Sequence, residues 1–163
     1  MTLAGVHVRR VDWHAPRERA ALIELLDSYA RDPMGGGTPL PDDVRERLCD
    51  DLARQPLAVS FIAWQGDAPV GLANCFEGYS TFKARPLLNV HDLVVLAAQR
   101  GRGVGQALLA ACEAYARERG CCKLTLEVLT GNPRALRSYQ HFGFAPYTLN
   151  PDDGQALLMQ KWL

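Results

Sequence analysis

The sequence lacks a net charge of either sign, and this argues against nucleic acids as partners. Its 163 residues carry 18 Lys and Arg against 18 Asp and Glu, a formal net charge of +0. Because phosphate backbones are usually bound by a basic excess, no nucleic-acid partner is expected. The length suits one ordinary domain, so we expect a single domain over residues 1–163.

Long apolar runs and paired cysteines are missing as well. No stretch approaches the roughly 20 apolar residues that span a bilayer. Arg9, Arg10 and Asp12 interrupt the N-terminus, where a signal segment would be apolar. We therefore expect a cytoplasmic protein without a membrane partner. The five cysteines show no C-x-x-C spacing, so neither a disulfide framework nor a metal site is expected.

What is present is an alternation of strand and helix patterns. Apolar residues at helical spacing predict helices that begin near Pro16, Pro41, Val104 and Asn132. A strand, a helix and a strand over residues 87–129 form a parallel crossover unit inserted among hairpins. The order predicts an α/β (α+β) fold with a mixed sheet. Apolar runs and alternation predict strands over residues 4–11, 57–65, 70–79, 87–96, 122–129, 144–148 and 155–162.

A glycine-rich turn, Arg100-Gly101-Arg102-Gly103-Val104-Gly105, lies between a predicted strand and a predicted helix. Backbone N–H groups of such a turn point at one spot, where the helix dipole favours an anion. A P-loop would need Lys followed by Ser or Thr, and a dinucleotide fingerprint would need glycine at position 106. Neither condition is met, which weakens a nucleotide-binding interpretation. A plain turn without a ligand is the alternative.

The turn and a second motif resemble the GCN5-related N-acetyltransferase (GNAT) family. Its signature Q/R-x-x-G-x-G/A is matched by Arg100, Gly103 and Gly105, after a segment, residues 91–95, that resembles the family's fourth strand. Residues 132–144 resemble its second signature, N-x-x-A-x-x-x-Y-x-x-x-G-F. The resemblance implies a GNAT-like, mostly antiparallel twisted sheet with helices on both faces. It also implies transfer of an acetyl group from acetyl-coenzyme A (acetyl-CoA) to a primary amine, by direct attack in a ternary complex.

The resemblance further implies a coenzyme A site without a metal. Backbone amides of the turn would hold the pyrophosphate, and Leu93 and Val95 would offer backbone groups to the pantetheine arm where strands four and five splay apart. Asn132 would contact the cofactor near its thioester end. The cofactor-binding residues that we expect are Leu93, Val94, Val95, Arg100, Gly101, Arg102, Gly103, Val104, Gly105, Gln106 and Asn132.

Acetylation of an amine requires a group that removes a proton. A protonated amine, with a pKa on the order of 10, cannot attack a thioester. His91 is the candidate base, because some GNAT relatives that act on small amines look to carry Glu or His there and an imidazole titrates near neutral pH; a sheet histidine satisfied by a neighbour is the alternative. Asp92 would point to the other face of a regular strand, and a bulge would reverse that. Glu127, on the polar side of strand five, and a water chain also remain candidates.

Tyr139 is the candidate that protonates the leaving thiolate, because it occupies the tyrosine of the second motif. Its alternative role is core packing on its helix. The acceptor is expected to be a small amine, since residues 80–86 are too few for an elaborate peptide platform. A peptide or protein acetyltransferase and a non-catalytic acyl-CoA-binding module are the alternatives.

The resemblance places the acceptor pocket near Asp32, the glycine loop 35–37 and residues 79–83. Three consecutive glycines predict a flexible loop, which could close over a substrate. The resemblance also implies a homodimer, often formed through the C-terminal strands. Leu157, Leu158, Met159 and Trp162 would permit such an interface.

Overall fold

The computed structural model describes residues 5–163. The strands are β1 (Val6–Arg10), β2 (Ala58–Gln65), β3 (Ala68–Ser80), β4 (Arg85–Val95) and β5 (Leu124–Leu126). The α-helices are α1 (Pro16–Arg31), α2 (Asp42–Arg54), α3 (Val104–Glu118) and α4 (Pro133–Phe142). Short 3-10 turns lie at Pro33–Gly35, Ala97–Gln99 and Pro151–Asp153. No helix in this described range is long and apolar enough to cross a bilayer.

The five strands form one mixed sheet in the order β1-β2-β3-β4-β5. Each neighbouring pair is antiparallel except β4 and β5, which are parallel. Helix α3 connects these two parallel strands, as a crossover connection must. The predicted class is therefore confirmed: a mostly antiparallel sheet that contains one parallel strand-helix-strand unit.

Both faces of the sheet are covered by helices. On one face, Leu22 and Leu25 of α1 pack with Ile62 and Leu72 in a cluster that also includes residues of α2. On the other face lie the buried residues of α3, among them Leu108 and Cys112. Because side chains alternate along β2 and β3, each strand contributes to both layers. The expected helices on both faces are confirmed.

The chain divides into two compact units. The first ends at Leu126 and contains the sheet with α1, α2 and α3, and the second is Glu127–Leu163, which contains α4. The expectation of a single domain over residues 1–163 stays a prediction.

Three strand predictions differ from the structure. The strand expected over 122–129 is limited to Leu124–Leu126, and residues 144–148 and 155–162 form no strand in the described chain. A strand exists only where a ladder partner supplies hydrogen bonds, and alternation does not supply that partner. Pro146 also lacks the N–H that a ladder needs. The first predicted strand is confirmed as β1, and its first expected residue, Ala4, lies outside the described residues.

Candidate functional site

Strand β4 carries a bulge at His91. In the antiparallel register Asn74 faces Asp92 and Cys75 faces Val90, so His91 has no partner across the ladder. The His91 ring lies edge-on against Phe76, with ring centroids 5.5 Å apart, and Phe76 packs against the cluster around α1. A bulge of this kind turns two consecutive side chains toward the same face. The reversal that a bulge would cause is therefore present.

Asp92 lies at the end of a chain of polar side chains on that face. Ser60 Oγ donates a hydrogen bond to Asn74 Oδ1 over 2.6 Å, and Asn74 Nδ2 donates to Asp92 Oδ2 over 3.0 Å. Ser60 and Asn74 are buried, whereas Asp92 is half-buried and His91 is exposed. The Asp92 carboxylate thus receives its hydrogen bond from inside the protein and keeps one side accessible.

The edge of β4 away from β3 opens beyond Val90. Strand β5 pairs only with residues 88–90, and no β5 partner faces residues 91–95 in the described structure. The Leu96 N–H bonds to the Val70 carbonyl, so the alternation of an antiparallel ladder directs the backbone groups of Leu93 and Val95 away from β3. Strand β5 ends at Leu126, where its pairing with β4 stops, and the splay that the GNAT resemblance implies for these two strands stays a prediction.

The glycine-rich turn adopts a backbone that favours glycine at two positions. Gly101 has φ 75° and Gly103 has φ 83°, both in the left-handed region. Gly103 is also the N-cap of α3 and brings no side-chain cap, so the first N–H groups of the helix face outward without a capping oxygen. A Cβ at Gly105 would lie 3.8 Å from Val95 Cγ2, an ordinary contact. The protein's own packing therefore does not require glycine at 105.

Arg100 ties the turn to the end of α1. Its Nε donates to the Val95 carbonyl over 3.0 Å, and its Nη2 contacts Asp32 Oδ2 at 2.8 Å. Asp32 is at the same time the C-cap residue of α1, and its Oδ1 accepts the N–H of Met34. The Arg100 guanidinium is therefore occupied by groups of the protein, whereas the Arg102 side chain is exposed.

The glycine loop after α1 is held by backbone hydrogen bonds to Asp32, and its predicted flexibility stays a prediction. The N–H groups of Gly35 and Gly37 both bond to the Asp32 carbonyl. A Cβ at Gly35 would lie 1.9 Å from the Tyr29 carbonyl oxygen, so only glycine fits there. Burial, followed by the charges of Asp92 and Asp32, raises the pKa of the Tyr29 phenol. The end of α1 and the β4 bulge are thus close enough to interact electrostatically.

Helix α4, in the second unit, begins after Asn132 and ends at Gly143, and both residues belong to the second signature. Asn132 is the N-cap, and its Oδ1 accepts the Ala135 N–H over 3.1 Å, which confirms the helix start predicted near this residue. Gly143 ends the helix at φ 108°, and the Phe144 N–H bonds to the Tyr139 carbonyl. The Tyr139 ring lies edge-on to Phe144, with centroids 6.0 Å apart. The packing role for Tyr139 therefore has a partner, and its catalytic role stays a prediction.

A comparison with known families decides which family the geometry represents. The family model described as the acetyltransferase (GNAT) family matches residues 20–144, more than half of the chain. The chain belongs to the GNAT family. The GNAT turn and second signature predicted from the sequence both lie inside the matched range.

Relatives and solved structures agree with this family. The streptothricin acetyltransferase of Streptomyces lavendulae is 39% identical over 67 residues, which are 41% of this chain and 34% of that protein. The chain spans between 34% and 56% of the length of the curated relatives that it matches.

Two solved structures share the fold of this GNAT chain. An aminoglycoside acetyltransferase from an uncultured soil metagenomic sample, in complex with sisomicin, has a TM-score of 0.79 at 18% identity, over 98% of this chain and 97% of that chain. AAC(6')-Iy in complex with the bisubstrate analogue CoA-S-monomethyl-acetylneamine has a TM-score of 0.77 at 18% identity, over 97% and 99%. At these identities the likeness shows the fold.

The structure brings most of the predicted GNAT site residues into one continuous region of the first unit. This region comprises the end of β4, the turn and the start of α3, and it contains His91, Asp92, Leu93, Val94, Val95, Arg100, Gly101, Arg102, Gly103, Val104, Gly105 and Gln106. Asn132 and Tyr139 belong to the second unit. Glu127 lies beyond the end of β5, so the prediction that placed it on strand five is wrong. The binding roles of all these residues stay predictions.

Sequence reasoning missed the residues that support this region from behind. Ser60 and Asn74 interrupt otherwise apolar strands, and a polar residue in such a run was the available signal. The pairing of Asp32 with Arg100 had no signal, because 68 positions separate the two residues. Among the described residues, no three His, Cys, Asp or Glu side chains meet as a metal site would require. The expectation of a reaction without a metal stays a prediction.

Proposed function

We propose that this protein transfers the acetyl group of acetyl-CoA to the primary amine of a small molecule. One observation carries the proposal: the open edge of β4 runs directly into a turn with two left-handed glycines and then into the N-terminus of α3. An open strand edge suits an extended amide-containing chain, and a glycine turn at a helix N-terminus suits a pyrophosphate. Coenzyme A contains these two parts in the same order.

Each step of the transfer has a candidate group in the chain. The acceptor amine must lose a proton before its nitrogen attacks the thioester carbon, and His91 and Asp92 at the bulge are the candidate groups to receive it. The carbonyl oxygen becomes negative as the C–N bond forms, and backbone N–H groups of residues 93 and 95 are candidate donors to it. When the C–S bond breaks, the thiolate takes up a proton, for which Tyr139 is the candidate donor.

The charge of the bulge supports a cationic acceptor. Asp32 is paired with Arg100, whereas no ion pair involves Asp92 in the part of the chain that the structure describes. A half-buried carboxylate without a cation attracts an ammonium group. The relatives point the same way, because one acetylates streptothricin by name and a structural neighbour was solved with sisomicin. A small polyamine-like acceptor fits these observations better than a protein.

The test is release of free thiol from acetyl-CoA in the presence of polyamines, aminoglycosides, a streptothricin, amino acids and peptides. We expect turnover with at least one small polyamine or aminoglycoside. Turnover with peptides alone would favour the protein-acetylating alternative. Tight binding of coenzyme A without turnover would support the non-catalytic binding module. No binding of coenzyme A would overturn the proposal.

A pair of glycine variants makes the binding test specific. Gly103→Ala forces a side chain into the left-handed region within the proposed pyrophosphate turn, where φ is 83°. Gly66→Ala imposes the same kind of strain at φ 58° in the turn between β2 and β3. Both variants should lose some stability. Only Gly103→Ala should weaken coenzyme A binding, as measured by isothermal titration calorimetry.

A further inference from the structure

Two polar side chains lie deep inside the sheet of the first unit. Ser60 on β2 is 1% exposed and Asn74 on β3 is 3% exposed. Both lie on the same face of the sheet as apolar residues of the cluster around α1, because Ser60 is two positions from Ile62 and Asn74 is two positions from Leu72. Burying a polar group is unfavourable unless it is hydrogen-bonded, and apolar side chains at these positions would pack without that cost. The fold by itself gives no reason for this pair.

The hydrogen bonds between these residues run in one direction. Ser60 Oγ donates to Asn74 Oδ1 over 2.6 Å, so the amide oxygen is held toward Ser60. The Asn74 amide nitrogen is thereby turned to Asp92, and it donates to Oδ2 over 3.0 Å. An N–H donor favours the ionised form of a carboxyl group and fixes its orientation. The chain ends on the one residue of the three that is not buried.

The groups around Asp92 do not neutralise it. From α1, Tyr29 interacts with both Asp92 and Asp32, and Asp32 is occupied by Arg100. His91 stands beside Asp92 on the bulge. From the other layer, the Cys75 thiol is uncharged, because its hydrogen bond with Cys112 and its burial raise its pKa.

We propose that Asn74, oriented by Ser60, is a positioning residue that holds the Asp92 carboxylate in one orientation to bind the ammonium group of the acceptor. The inference rests on the proposed function and adds a specificity device to it. Asp92 and not His91 is then the primary contact of the amine. Asn74 and Ser60 act through Asp92 and do not touch the substrate.

The variants separate this role from general stability. Asn74→Leu removes the donor while it keeps the branched shape of the side chain, and Ser60→Ala removes only the group that orients it. Ser60→Thr keeps a hydroxyl and serves as the rescue. Cys75→Ala is the matched control, because Cys75 is equally buried on the same strand next to Asn74 and removing its neutral thiol changes no charge.

We expect Asn74→Leu to raise KM for the amine by about tenfold or more while KM for acetyl-CoA stays within about twofold, since a hydrogen bond to the charged Asp92 is lost. Ser60→Ala should raise KM for the amine in the same selective way but by less, since it removes only the hydrogen bond that orients the Asn74 amide. Ser60→Thr should recover the wild-type KM. A general packing defect would instead affect both substrates, and Cys75→Ala would then reproduce it.

A second readout needs no turnover. The 13C signal of the Asp92 carboxyl carbon should change position in Asn74→Leu relative to the wild type at the same pH, because the carboxylate loses its N–H donor, with Cys75→Ala unchanged. If the wild type acetylates no amine, the proposed function fails, and this signal still decides whether Asn74 holds the Asp92 carboxylate. If the wild type is active and the variants match Cys75→Ala in both KM values and in this signal, the inference is wrong. Should Asn74→Leu fail to fold, Ser60→Ala carries both measurements.

Discussion

The Arg100 side chain donates two hydrogen bonds to other groups of the protein. One holds the carbonyl of Val95 at the end of β4, and the other holds Asp32 at the end of α1. Arginine suits this position because its planar fork can reach two acceptors at once. The side chain thus shapes the turn whose backbone amides are proposed to bind the pyrophosphate.

We expect Arg100→Ala to weaken coenzyme A binding by about tenfold, the effect of losing a charge-assisted hydrogen bond. Isothermal titration calorimetry with coenzyme A measures this directly. Arg117→Ala is the control, because Arg117 pairs with Glu113 on the exposed surface of α3. An unchanged dissociation constant in Arg100→Ala would show that the turn keeps its shape without the ion pair.

Glu77 gives a residue-scale prediction about pH. Its side chain is 7% exposed and accepts hydrogen bonds from Tyr115 and Arg119, both at 2.8 Å. Burial alone would raise the pKa of Glu77, but the hydrogen bonds from Arg119 and Tyr115 outweigh it and the pKa is lowered. A carboxyl group with a lowered pKa in the folded state stabilises the fold above its unfolded-state pKa. That stability is lost as pH falls through the folded-state pKa.

We therefore expect Glu77→Gln to lower Tm at pH 7, and the gap from the wild type to close as pH falls below about 4, where an unfolded glutamic acid is already protonated. Thermal unfolding followed by circular dichroism over this range is the measurement. Glu113→Gln, at a more exposed ion pair on α3, should show a smaller gap at pH 7. A gap for Glu77→Gln that stays constant with pH would exclude the charge of Glu77 as its cause.

At the scale of elements, α3 approaches the sheet at Gly71. A Cβ at this position would lie 3.0 Å from Leu108 Cδ1, 3.0 Å from the Val94 carbonyl oxygen and 3.1 Å from Val104 Cγ1. The carbonyl cannot move aside without disturbing β4. Glycine therefore sets the distance between β3 and the first turns of the helix whose N-terminus is proposed to face the pyrophosphate.

Gly71→Ala should destabilise the protein by about 1–3 kcal/mol through overpacking and should weaken coenzyme A binding, because α3 must shift. Urea unfolding and calorimetry measure the two effects. Gly78→Ala on the same strand is the control, since its Cβ would meet only the flexible side chain of Leu87, at 3.2 Å. If the two variants have equal stability and equal affinity for coenzyme A, the close approach at Gly71 does not control the position of α3.

The elements also show which features a sequence can predict. The helix starts at Pro16 and Pro133 follow from local signals, because a helix N-terminus is set by residues within one turn of it. The turn at 100–105 follows from its spacing. The bulge at His91 was foreseen only as a possibility, because it depends on the register with β3. Asn74 and Asp92 meet across that register, and no local pattern specifies such a meeting.

At the scale of the whole molecule, the segment predicted as the last strand, residues 155–162, exposes large apolar side chains. Leu157, Leu158, Met159 and Trp162 are between 79% and 86% exposed, and in the described chain no ladder pairs with this segment. An extended apolar segment without a partner is a site where another chain can pair. A second copy of the chain supplies such a partner with matching sequence, and closed two-fold pairing is the commonest arrangement of oligomers.

We expect the protein to form a homodimer that buries this segment, as the family resemblance implies. Sedimentation velocity should give a dimer, and iodide should quench Trp162 less as protein concentration rises, because the interface covers this 86% exposed side chain. The other two tryptophans should change little, since Trp64 is buried at 5% exposure and Trp13 packs against the core cluster of the first unit. Leu158→Glu should shift the protein to monomer by placing a charge in the interface, whereas Leu57→Glu, at a residue 51% exposed in the first unit, is the control. A monomer at all concentrations, with Trp162 fully accessible to iodide, would refute the dimer and leave the exposed apolar segment to another kind of partner.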